Sequence, residues 1–86
     1  MSREIQVQKF CDVYRVELEK AVMEFPQQYT YSVSLVPDVV YRMREAFIAG
    51  TYNYGGIAIR RTCKILGIKH TIKAMEQFFN LPATPE

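Results

Sequence analysis

Thr62-Cys63-Lys64-Ile65-Leu66-Gly67-Ile68-Lys69-His70-Thr71 is the stretch on which the reading of this chain turns. A glycine sits between two apolar residues, with a small residue four positions before it. That is the pattern of a helix-turn-helix hinge. The glycine supplies the sharp corner, and Cys63, Leu66 and Ile68 pin both helices to a shared core. Ahead of it, Ile59, Cys63 and Leu66 form one stripe, widened by Ala58, Thr62 and Ile65, which predicts a helix over 57–66. Behind it, Ile72, Met75 and Phe79, with Phe78 beside them, predict a helix over 71–80. The usual motif buries an apolar residue six positions after the glycine. Lys73 stands there, and the apolar positions fall at Ile72 and Met75. Either the turn is one residue shorter or the two helices cross differently.

Working outward, Val7, Phe10, Tyr14, Leu18, Ala21, Val22 and Phe25 recur at three- and four-residue spacing, which predicts a helix over 4–25 ended by Pro26. A further helix starts near Val36 or Pro37, with Ser34 as its expected cap. Its stripe is Val39, Val40, Met43, Ala46 and Phe47, and Gly50 stops it. The Tyr29/Tyr31/Val33 segment between them has no helical period and reads as an extended connector over the core. Residues 51–56 read as a loop. The fold class is therefore all-α, a compact bundle of about four helices with a helix-turn-helix-like C-terminal half and an irregular Tyr-rich connector. The expected core is Phe10, Leu18, Val40, Phe47, Ile59, Leu66, Met75 and Phe79, and Gly67 is expected at positive φ or at a very tight corner.

Eighty-six residues, 49% apolar and 23% charged, describe one globular domain spanning 1–86, with 81–86 as a frayed tail. So small a domain has a thin stability margin, and a homodimer is one remedy. The longest apolar runs are far below the ~20 residues of a membrane span. Met1-Ser2-Arg3-Glu4 has no apolar core behind it, so the expected location is the cytoplasm. There Cys11 and Cys63 are expected as buried thiols, the alternative being a single disulfide.

The net charge of +2 is unevenly spread. Residues 1–45 hold six Lys/Arg and seven Asp/Glu, whereas 46–75 hold Arg60, Arg61, Lys64, Lys69 and Lys73, with His70, and no acid at all. Such a segment concentrates a polyanion or steers an acidic partner. The simpler reading is a solvated helix face that happens to be basic. On the first reading the five cations meet phosphates, while His70 and Thr71 sit where a recognition helix begins. Tyr52 and Tyr54 either stack on unpaired bases or lean on the core with their hydroxyls in water.

The runs Pro26…Tyr29, Val36-Pro37-Asp38-Val39-Val40…Met43-Arg44-Glu45-Ala46-Phe47…Gly50…Asn53 and Thr62 to Thr71…Ala74…Phe78-Phe79 resemble a family of small uncharacterised domains of phages, prophages and plasmids. The likeness covers roughly residues 20–80, and Cys63 to Thr71 is its most specific part. The resemblance implies a mobile-element origin and brings no activity, cofactor or catalytic residues with it.

Enzymatic chemistry is not expected. His70 is the sole histidine, and Cys63 lies on an apolar stripe. Gly55-Gly56 lacks the Lys-Ser/Thr continuation of a phosphate loop. No Cys/His cluster has metal-ligand spacing, so neither metal nor cofactor is expected. Two functions remain. One is a small regulatory protein that binds DNA or RNA through the basic helix-turn-helix-like segment. The other is an interaction module that binds and modulates a host protein.

Overall fold

Helix α1 (Ser2–Glu24) carries the other elements. In the computed structural model, which describes residues 2–82, helices α2 (Val36–Ala49), α3 (Ile57–Leu66) and α4 (Ile72–Phe79) all pack on it, α3 and α2 most extensively. No strand occurs among the described residues. The fold is all-α, with four α-helices among the described residues. Residues 83–86, most of the expected frayed tail, lie outside the described residues.

The expected stripe of α1 is buried from Val7 to Val22, and Cys11 joins it. Phe25 has left helical angles (φ −127°, ψ 62°), as a residue before proline must. The helix begins at Ser2 rather than residue 4, because Arg3 is held by tertiary bonds. Its Nε donates to the carbonyls of Phe47 (3.1 Å) and Ile48 (3.0 Å) at the C-terminal end of α2. Its Nη1 and Nη2 each donate to Glu76 of α4 at 3.0 Å. Nη1 also donates to the Asn80 side-chain oxygen, and the guanidinium lies 5.5 Å from the Phe79 ring centre. One cation thus satisfies the orphan carbonyls of α2, where the helix dipole favours positive charge, and ties three helices together.

The core is an aromatic cluster. The Phe10 ring lies 5.1 Å from Phe47 and 5.4 Å from Phe79, both edge-on, a favourable arrangement for ring quadrupoles. Seven of the eight expected core residues are buried. Leu66 is the exception. It is half-buried, because α3 ends there and leaves one side open.

Three local expectations need correction. Ser34 does not cap α2. That helix grows directly out of a 3-10 turn, Val33–Leu35, so no extended cap residue exists, and the Ser34 hydroxyl bonds that of Ser32 (2.8 Å) instead. The connector is not uniformly extended. It has 3-10 turns at Pro26–Gln28 and Val33–Leu35, with half-buried Tyr29 and Tyr31 between them, their rings 5.7 Å apart. Ile72 is 42% exposed rather than buried. Thr71 is extended and caps α4 by accepting from the Ala74 N–H at 3.1 Å, so α4 starts at Ile72. The turn is longer, not shorter, and Met75 is the first buried residue of α4.

Gly67 caps α3 at φ +72°, in the left-handed region, its N–H directed at the carbonyls of Cys63 and Lys64. A Cβ there would meet nothing within 4 Å. A substitution therefore meets backbone strain and no steric clash. Gly67→Ala should cost about 1–2 kcal/mol, and Gly67→Asn less, because asparagine tolerates this conformation. Urea denaturation checks this, and equal stability of all three chains would refute the cap.

Arg3 holds the Glu76 carboxyl below the usual carboxylate range through its hydrogen bonds, and Tyr52 adds another. A depressed folded value means the stabilisation is complete above the ordinary glutamate pKa of ~4.3 and is lost as pH falls through the folded value. Stability should decline on acidification below about pH 4.5, and Glu76→Gln should flatten that decline. Arg3→Ala should cost roughly 1.5–3 kcal/mol at neutral pH. Denaturation curves across pH measure both.

Candidate nucleic-acid interface

Arg60 and Lys64 are exposed and stand one turn apart on α3. Lys69 is exposed in the Gly67 turn, and Lys73 in the first turn of α4. Among the described residues none of these four has a carboxylate within salt-bridge distance. Arg61 differs. It is half-buried, pairs with Glu24 at 2.8 Å, and lies 5.9 Å from the Phe25 ring centre. Its position on α3 turns it back toward the end of α1, and the pair holds its proton still more firmly than usual.

His70 and Tyr54 engage each other. His70 Nε2 lies 2.6 Å from the Tyr54 carbonyl oxygen, and the rings meet edge-on at 5.4 Å. Facing an acceptor, Nε2 carries the hydrogen and donates. His70 therefore latches the 51–56 loop to the Gly67 turn. The Thr71 hydroxyl oxygen is occupied as the α4 cap.

The Tyr52 ring leans on the core. Its ring packs edge-on to Phe47 (4.9 Å) and Phe79 (5.7 Å), and its hydroxyl donates to Glu76 instead of meeting water. Burial and that hydrogen bond to a carboxylate both push the phenol pKa up. Tyr54 is exposed, with its ring committed to His70.

Cys63 is fully buried, its thiol pushed up in pKa by burial, and His70 is committed to Tyr54, so no thiolate–imidazole pair forms. Cys11 is also a free buried thiol, pushed up to about 12 by burial. Among the described residues no group of three His, Cys, Asp or Glu has metal-binding geometry. No described helix is long and apolar enough to cross a membrane.

The corner holds a feature the residue pattern did not announce. Leu66 and Ile68, with Ala74, Phe78 and Leu81, line an open groove of about 610 Å³ to which Lys69 and Gln77 add polar groups. The signal available was the end of α3 at Leu66, which leaves an apolar residue without a helical neighbour above it. Arg3 and Glu76 were also missed as a pair. They lie seventy-three residues apart, and no local pattern connects them.

No family model, curated protein or solved structure matches this chain.

Proposed function

We propose that this protein binds nucleic acid through the α3–Gly67–α4 corner, as a small regulatory factor of the kind mobile elements carry. One observation carries the reading. Arg60, Lys64, Lys69 and Lys73 are exposed with no carboxylate partner among the described residues, and no acid stands between them in sequence, whereas the other exposed unpaired cations, Lys9, Arg15 and Arg42, stand among the acids of α1 and α2. Unpaired cations on a segment without acids suit a polyanion, because each phosphate contact releases a condensed counterion. The helix–glycine–helix order, and the exposed Ile72, Lys73 and Gln77 on the first two turns of α4, suit a helix presented to a groove. With the Tyr52 ring packed inside and the Tyr54 ring held by His70, backbone contact by the cations, rather than base stacking, is the source of affinity.

A second reading, an interaction module acting on a host protein, is favoured by the groove and by exposed Ile65 and Leu81 beside the same cations. An acidic amphipathic segment fits that chemistry. Its capture would survive nuclease treatment and be lost in Leu81→Asp.

Binding to duplex DNA, measured at a series of salt concentrations, tests the first reading. Four phosphate contacts give a slope of log K against log salt of about −3.6. Arg60→Ala, Lys64→Ala, Lys69→Ala and Lys73→Ala should each flatten the slope by about one unit. Arg61→Ala should flatten it less, since Glu24 already neutralises that charge. Absence of binding to duplex and single-stranded nucleic acid at low salt would overturn the reading.

A further inference from the structure

The side of α1 that turns away from the core is not uniformly polar. Ile5 is 45% exposed, Val16 40% and Met23 67%. Their separations of eleven and seven residues bring all three back to nearly one line along the helix, opposite Val7 and Tyr14. A surface helix normally keeps this side charged. Between the apolar residues stand exposed Lys9, Asp12 and Glu19. Together the six form a continuous seam at alternating four- and three-residue steps, the spacing by which one helix meets another.

The seam is self-complementary when reversed. Ile5 and Met23 lie nine residues either side of Tyr14, Lys9 and Glu19 five, Asp12 and Val16 two. We propose that two copies of this chain associate through the outer face of α1 as an antiparallel, two-fold symmetric pair. Ile5 of each copy then meets Met23 of the other, and Lys9 meets Glu19, so each apolar contact and each ion pair occurs twice, as an isologous interface requires. A parallel pairing sets Lys9 on Lys9, Asp12 on Asp12 and Glu19 on Glu19, and is repelled. Asp12 then faces Val16 of the other copy close to the two-fold axis, and it accepts from Gln8 Nε2 at 2.9 Å, which keeps its charge hydrogen-bonded there. The twenty-three residues of α1 make a seam about 34 Å long. One helix pair buries less than the ~1,200–2,000 Å² of a stable interface, so the dimer is a dissociating one. Since α2, α3 and α4 pack on the other side of α1, the inference is independent of the proposed function.

Sedimentation velocity of the full chain at low ionic strength, over a wide concentration range, tests it. The wild type should shift from monomer to dimer with concentration. Lys9→Glu sets like charges opposite one another twice and should weaken association about tenfold. The double variant Lys9→Glu/Glu19→Lys should restore it. These side chains are exposed, so helix content by circular dichroism should match in all three. A chain that stays monomeric throughout, a dimer indifferent to Lys9→Glu, or failure of the double variant to recover would each overturn the proposal.

Discussion

The Phe10 ring is the contact on which the rest of the fold depends. It sits near the middle of α1 and meets Phe47 of α2 and both Phe78 and Phe79 of α4. A chain of eighty-six residues has room for one core, and helices that pack little on one another must each find the same central element. Phe10 and its neighbours Val7, Tyr14 and Leu18 supply that element. Only α3 is held mainly by smaller groups, Ala58, Ile59, Thr62 and Cys63, which let its backbone lie close against α1.

The Arg3 clamp has an electrostatic effect beyond holding helices together. Glu76 is the acid nearest the basic segment in sequence, and its carboxylate is drawn inward by Arg3 and Tyr52. The exposed face of α4 keeps Lys73 and Gln77, while the carboxylate of half-buried Glu76 is paired with Arg3. The same carboxylate that joins the N-terminus to α4 thus helps to leave the corner positive.

Much of this was legible in the sequence, and the remainder was hidden for identifiable reasons. The periodicity of Phe10, Leu18, Val40, Phe47 and Phe79, and the stops at Gly50 and Gly67, depend on local geometry, so the helices could be placed to within a few residues. Ile72 was misplaced because the extended Thr71 restarts helical phase, and phase cannot be carried across a turn. Leu66 fits a buried stripe by spacing, yet α3 ends beneath it. The basic segment is visible in composition, but the pairing of Arg61 with Glu24 and of Tyr52 with Glu76 depends on residues brought together only by folding. Capping by Thr71 and latching by His70 likewise withdraw two polar groups that sequence alone presents as available.

The two sealed thiols have a further consequence. Cys11 lies on α1 and Cys63 on the helix packed against it, and both are closed to solvent in the folded chain. An alkylating reagent can reach either sulfur only during an excursion that parts the helices. Because burial also disfavours the thiolate, background reaction in the closed state is slow. The native protein therefore carries a built-in chronometer at two depths. Equal labelling rates would mean that the bundle opens as one unit, and faster labelling at Cys63 would mean that the corner breathes away from α1 while the rest stays shut.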